Sequence, residues 1–552
     1  MKFFPVPLAL LALAVGLPWA CAAQQVATAT SSRVQDAAAS TATSLDRRDT
    51  AYASIDALHK AMDQGDLDAL GLTRLFIWRI ARFDHAGPGV NSVIELNPDA
   101  LTQARTRDAD RSNAKGGLLL GIPVLLKDNI DTGDRMLTTA GSLALAAAPA
   151  AQDATIVQKL RKAGAIILGK TNLSEWANFR STHATSGWSG RGGLTRNPYV
   201  LDRNACGSSS GSGAAVAAGF TTVAIGTETD GSVICPASMT GIVGIKPTLG
   251  LVSRAGIVPI SHNQDTAGPM ARTVADAATL LTVMAGSDPR DPATAEADRH
   301  ATDYRKFLDP EGLKGKRIGV LRQYTGAEPN ADRVLDEAIA TMKKAGAIIV
   351  DPVKLPHVGD LGDDEFTVLL YDFKHDLNNY LATRKNLKVH TLSDLIAFND
   401  AHAKTEMPWF GQELFHMAEK KGPLTDKAYV EALERAKRRA GPEGIDAALK
   451  ADNLDALLAP SWGPAFRTDL VLGDHIVSGD PTIGGVSQPA SVAGYPSITV
   501  PAGFAHGLPV GIVLMTRKWG EPVLISIASG FEHAASAYQR PRFLPTVPDA
   551  SP

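Results

Sequence analysis

Two serine-glycine clusters and one lysine carry residue types that can cleave a carbonyl–nitrogen or carbonyl–oxygen bond. The first cluster is Cys206-Gly207-Ser208-Ser209-Ser210-Gly211-Ser212; the second, GTETDGS, runs from Gly226 to Ser232. A serine hydroxyl is a poor nucleophile until a neighbour takes its proton. Lys127, which closes the apolar run GGLLLGIPVLLK, is the candidate for that role. Lysine accepts a proton only as the neutral amine. Its ordinary pKa is about 10.4, so work near neutral pH requires burial and no close carboxylate partner. Asp128 and Asp131 must then point away or be engaged elsewhere. Taken alone, a lysine at a strand end is most often simply solvated.

Two better-known patterns are present and are set aside. Gly164 to Thr171 spell G-A-I-I-L-G-K-T, which fits the phosphate-loop string. Here, however, a helical pattern precedes it, and the variable positions read as an apolar strand. Gly207 to Gly211 satisfies G-x-S-x-G with Ser209 as nucleophile, but that elbow must follow a buried strand. The preceding RNPYVLDRNAC is polar and turn-like. No His, Cys or carboxylate grouping has metal-ligand spacing, so neither metal nor cofactor is expected. His183 and His262 lie in loops that could border a site, although such histidines usually just bond backbone.

The elements that must position these groups are legible in outline. Gly116 to Asn129 reads as a buried strand bent at Gly121 and Pro123. Residues 153–163 predict a helix capped by Asp153, and 165–168 a strand. A small-residue helix begins at Ser212, leaving free N–H groups beside residues 208–210. Residues 222–225 predict a strand, followed by a tight loop in which Gly231 lets the backbone pass close to a ligand. Upstream, residues 52–84 show helical spacing. Residues 330–445 look mostly helical, a covering region with a role in substrate choice. From Leu454 short strands return (456–459, GYPSITVPAGF, LPVGIVLM) and are expected to rejoin the first sheet, before a helix near 523–537. The fold class that follows is α/β: one large domain with a mixed twisted sheet covered by helices on both faces.

The chain has 552 residues, 44% of them hydrophobic, and 55 basic against 58 acidic residues. That balance fits a large soluble core and argues against nucleic-acid or anionic-membrane binding. The N-terminus, MKFFPVPLALLALAVGLPWACAAQQ, has a charged start, a short apolar stretch and an Ala20-Cys21-Ala22 cleavage pattern. Residues 1–22 are therefore read as a signal peptide, 23–50 as a flexible leader and 51–545 as the domain. Within the domain, the core is 51–300 and 450–545, and the covering region about 305–450. Export to the periplasm or medium follows, with lipidation at Cys21 the rival. Two further cysteines, Cys206 and Cys235, each lie near a serine of interest and are either bridged or two buried thiols.

Together these blocks resemble the amidase signature family, whose pattern runs G-G-S-S-G-G-S, then G-T-D-x-G-G-S-x-R-x-P, then G-x-K-P-T. The counterparts are residues 206–212, GTETDGSVICP from Gly226, and Gly244 to Thr248. The likeness extends through GIPVLLKDNIDT, AGAIILGKTNLSE and QDTAGPMARTVADAA to GYPSITVPAG. The resemblance implies Ser232 as nucleophile, Ser208 as a bridging serine in an unusual cis peptide, and Lys127 as base. It implies an oxyanion hole from the backbone N–H groups of Thr229, Asp230, Gly231 and Ser232, with Ser209, Gly207 and Thr227 in support. The chain departs from the pattern at Cys206, Ser210, Glu228, Asp230 and Ile234, the last replacing an arginine. These forms look most like the peptide amidases, which release ammonia from peptide C-terminal amides. The alternatives are a small aliphatic or aryl amide hydrolase, or an exported non-catalytic binder on the same fold; a transamidase component that works on charged transfer RNA fits poorly with an export signal. The expected partner is a small-molecule or short-peptide amide, with no nucleic acid, no membrane span, and a monomer or homodimer.

Overall fold

The computed structural model describes residues 47–113, 116–474 and 486–548. The signal-peptide reading and most of the leader lie outside these residues. Residues 47–50, read as leader, begin the helix Arg47–Ala51.

Thirteen strands occur among the described residues. They are β1 (Val93–Leu96), β2 (Pro123–Lys127), β3 (Ile166–Thr171), β4 (Trp188–Ser189), β5 (Gly193–Leu194), β6 (Val223–Glu228) and β7 (Val243–Lys246). Then come β8 (Thr266–Ala271), β9 (Arg317–Val320), β10 (Ile348–Val350), β11 (Ala456–Pro460), β12 (Ser497–Ala505) and β13 (Leu508–Met515). Eleven of them form one sheet in the order β1-β3-β2-β6-β8-β7-β12-β13-β11-β9-β10; β4 and β5 pair separately. The sheet is mixed. β2 runs parallel to both β3 and β6, whereas β6, β8, β7, β12, β13 and β11 alternate antiparallel. β2, PVLLK, is buried throughout, as expected for a strand flanked by parallel neighbours and covered on both faces. The strands after residue 454 do rejoin the first sheet, through β12 on β7. The molecule is thus one large α/β domain built on a mixed sheet and flanked by helices.

Three local expectations are adjusted. The helix after residue 153 spans Thr155–Lys162, and its N-cap position is Ala154. Asp153 does not cap it: its carboxylate accepts from Gly133 N–H at 2.8 Å and pairs with Arg161 at 2.9 Å. The small-residue helix starts earlier, spanning Ser210–Ala217. β6 extends through Glu228, because residues 226–228 continue the ladder onto β8. The phosphate-loop string falls largely within β3, where Lys170 is fully buried and donates to Ile130 O at 2.6 Å and Thr138 Oγ1 at 2.8 Å.

Residues 305–450 are mostly helical. Gly362–Thr383 packs its Leu370, Phe373 and Leu377 with Trp176, Phe179 and Phe415 in one buried cluster. Sequence patterning assigns all of about 305–450 to a covering region, but β9 and β10 fall inside those bounds and lie in the main sheet, so only part of that stretch covers the core.

Candidate active site

Lys127 is the last residue of β2 and has no exposed surface. Parallel pairing with β6 sets its amine against the end of that strand. Nζ lies 2.8 Å from Thr227 Oγ1 and 3.2 Å from Thr227 O. Its third neighbour is Ser208 Oγ at 2.7 Å. As an ammonium the group would have an acceptor for each proton; as an amine it can accept from a hydroxyl. Burial pushes its pKa down to about 7, against the opposing fields of Asp265 and Glu228.

The nearer carboxylates are engaged elsewhere. Asp128 pairs with Arg191 at 3.3 Å and accepts from Thr139 Oγ1. Asp131 accepts from Tyr380 OH at 2.8 Å and lies 3.6 Å from Arg384.

Ser208 follows a cis peptide bond from Gly207. Its carbonyl accepts from Ser174 N–H at 3.1 Å. Ser209 is fully buried, and its hydroxyl is committed to the Thr227 backbone, 3.1 Å from both O and N. Its own N–H donates to Ser232 O at 3.1 Å, which ties the two serine clusters together. Ser209 therefore braces the turn rather than sitting on an exposed elbow. Thr227 gains a role that spacing alone does not reveal, since it holds Lys127 through both hydroxyl and carbonyl. Asn129 Nδ2 donates to the same hydroxyl at 2.9 Å.

Ser232 is 8% exposed and opens into a cavity of about 320 Å³. Phe179, Ile260, Leu369, Trp462 and Phe466 give that cavity a largely apolar wall, and Asp230 and Gly231 line it beside the serine. Gly231 has φ +76°, and a Cβ there would meet Trp462 Cη2 at 2.7 Å. Glycine is required on both counts. Among the described residues, the N–H groups of Thr229, Asp230, Gly231 and Ser232 donate to no protein acceptor. Adjacent N–H groups of this kind form an anion-accepting nest.

The loop is held from below. Glu228 accepts from the N–H groups of Val233 and Ile234 at 2.7 and 2.9 Å. Asp265 accepts from Thr229 Oγ1 at 2.6 Å. Ile234, standing where the family pattern has arginine, is buried among Leu457, Ala459 and Val513. Asp230 stands near Glu365 and Glu228, and burial followed by the Glu365 charge holds its carboxyl well above the usual range. Cys206 and Cys235 are joined by a disulfide with Cα atoms 5.9 Å apart, linking the two serine-bearing segments at the cavity wall.

A second cavity of about 340 Å³ lies beside the first, sharing Ala177, Thr229 and Ile260 with it. Asn129 and Thr227 reach its wall, as does His262. His183 does not line either cavity; its ring meets Thr182 Oγ1 at 2.9 Å. Sequence reasoning missed Asp265, Glu365 and Trp462, none of which sits in a serine- or glycine-rich block.

A buried amine, two serine turns and a nest of free N–H groups at one end of a mixed sheet define an amide-hydrolysing enzyme of the amidase class. The chain belongs to the Amidase family, whose model matches residues 72–525. It is similar to the peptide amidase of Stenotrophomonas maltophilia, whose structure is 50% identical in sequence, covers 89% of this chain and 98% of that one, and superposes with a TM-score of 0.84. A probable amidase of Arabidopsis thaliana is 40% identical over 503 residues, 89% of this chain and 92% of that protein. A component of the glutamyl-tRNA(Gln) amidotransferase of Pseudomonas syringae is 34% identical over 475 residues, 85% of this chain and 94% of that protein.

Proposed function

We propose that the enzyme hydrolyses the C-terminal carboxamide of peptides through an acyl-enzyme on Ser232, with release of ammonia. The observation that carries the chemistry is the fully buried Lys127 amine, with a pKa lowered to about 7, at 2.7 Å from Ser208 Oγ. In this reading Ser232 Oγ attacks the amide carbon while its proton passes to Ser208 Oγ, and the Ser208 proton passes to Nζ. The carbonyl oxygen becomes an oxyanion held by the N–H groups of residues 229–232; each such donor is worth roughly 10²–10³-fold in rate. On collapse the proton returns through Ser208 to the leaving nitrogen, and the C–N bond breaks. Water then enters by the same route and frees the carboxylic acid.

Substrate choice is inferred from the cavity and from the likeness to peptide amidase. The wall is largely apolar and aromatic, Ile234 stands in place of the family arginine, and none of the described residues lining the cavity is Lys or Arg. A peptide ending in an uncharged amide suits it better than free Asn or Gln. The N-terminal pattern supports an exported enzyme that meets peptides in the periplasm or medium.

Two measurements test this. Ammonia release should be fastest from amidated dipeptides, slower from a simple aryl amide and weakest from free Gln; a reversed order sinks the peptide assignment. A fluorophosphonate should label the wild type once, at Ser232, and leave Ser232→Ala unlabelled. An unlabelled wild type would instead indicate a binder without catalysis.

A further inference from the structure

Ligand spacing along the chain shows no metal motif, yet the fold brings one together from two distant segments. His262 lies in the loop before β8, and His375 and Asp376 lie on the covering helix Gly362–Thr383. His262 Nδ1 is 2.9 Å from Asp376 Oδ2 and 3.1 Å from Oδ1. His375 Nδ1 is 2.9 Å from Asp376 Oδ1. One ligand atom from each of the three residues falls within 4.8 Å of the others. We infer that His262, His375 and Asp376 form a binding site for a divalent transition-metal ion, zinc above all, at the rim of the second cavity, whose wall Asn129 and Thr227 also reach.

Geometry and chemistry both favour it. Zinc bonds of about 2.0–2.2 Å in a tetrahedral arrangement place ligand atoms roughly 3.3 Å apart. The two rings are half-exposed, at 42% and 51%, so small rotations bring them to that spacing. Two imidazoles and one carboxylate select zinc, cobalt, nickel or copper over magnesium and calcium. Further negative charge stands beside the three groups. Asp372 Oδ1 lies 3.7 Å from His262 Nδ1, and this buried carboxylate accepts from Tyr429 OH at 2.7 Å and Ser261 Oγ at 2.6 Å. Facing the same nitrogen that would take the metal, Asp372 adds negative charge beside a bound cation. Asn379, one turn beyond His375, holds its amide nitrogen 3.4 Å from that ring; turned end for end, it offers an oxygen as a fourth donor.

An ion here would clamp the covering helix to the core loop. That helix carries Leu369, in the wall of the Ser232 cavity, and Glu365, which accepts from Gln264 Nε2 at 2.7 Å. The loop leads into Asp265, which holds Thr229. The site is separate from the proposed triad, and its test reads binding rather than turnover.

The full chain, stripped with EDTA, is titrated with zinc chloride against a chromophoric chelator, with magnesium chloride in parallel. One zinc per chain is expected, together with a zinc-dependent rise in Tm and no response to magnesium. His375→Ala and Asp376→Asn should each weaken zinc at least about tenfold and abolish the zinc-dependent Tm rise, each measured against the same variant in EDTA, while retaining the wild-type circular dichroism spectrum. Wild type that takes up no zinc, or that binds it no better than His262→Ala/His375→Ala, overturns the inference.

Discussion

In the proposed mechanism the chemistry rests on the protonation of one side chain. Among the described residues no carboxylate contacts Lys127 Nζ, and burial outweighs the fields of Asp265 and Glu228. Holding the amine neutral near pH 7 implies a penalty on the ammonium on the order of 5 kcal/mol relative to water. Lys127→Met should therefore lower kcat by about 10³-fold or more, with Tm unchanged or raised, because an apolar stem replaces a buried amine. A variant that instead unfolds would make the lysine a structural residue. The sign of the pH dependence follows. Below pH about 7 the ammonium cannot accept the Ser208 proton, so kcat/KM should rise through that pH and level off above it. Asp265→Asn removes a charge that favours the ammonium, so the acid limb should move to lower pH; a limb that stays in place would assign it to another group. The two serine clusters stood out in the sequence by their composition, whereas Lys127, at the end of an ordinary apolar strand, was singled out as base by the resemblance to the family. Asp265 and Glu365 did not stand out, since a single acid in a mixed segment carries no periodic or compositional signal until folding buries it.

At the scale of elements, the site depends on two turns being pinned to one another. β2 and β6 are parallel neighbours, so their C-terminal ends arrive together, and Lys127 and Thr227 meet there. The Ser209 hydroxyl then fastens the first serine turn to β6. The disulfide closes the stretch from Cys206 to Cys235, which contains both serines. The sequence placed these cysteines close to the site but left the bridge undecided, because pairing depends on a Cα separation that only the fold supplies. The same limit explains the Asp153 cap: a local rule favoured it, and the tertiary partners Gly133 and Arg161 took the carboxylate instead. Closing a loop of this length is worth roughly 2–4 kcal/mol. Cys206→Ala/Cys235→Ala should therefore unfold at a lower urea midpoint than the oxidised wild type. Identical midpoints would leave the bridge no part in holding the two serine turns.

The whole molecule sets a compact sheet against a roof of helices, and the two were unequally readable. Strands such as PVLLK and LPVGIVLM announce themselves as unbroken apolar runs, which is what double-sided burial demands. The roof is amphipathic helix, and its pattern tells which face is buried but not which core loop it lands on. Hence the meeting of His262 with the helix Gly362–Thr383 was invisible in the chain. Cellular placement is a further property of the molecule as a whole. Among the described residues no helix is long and apolar enough to cross a membrane. The export reading therefore rests on the N-terminal pattern, where a short apolar stretch precedes Ala20-Cys21-Ala22. Expressed in a bacterial host with intact secretion, the enzyme should be recovered from the periplasm or medium. Intact-mass and N-terminal sequencing should place its first residue at Ala23. A chain retained in the cytoplasm and beginning at Met1 would refute export. A diacylglycerol mass on Cys21, with activity in the membrane fraction, would replace the cleaved, freely diffusing enzyme with an anchored one.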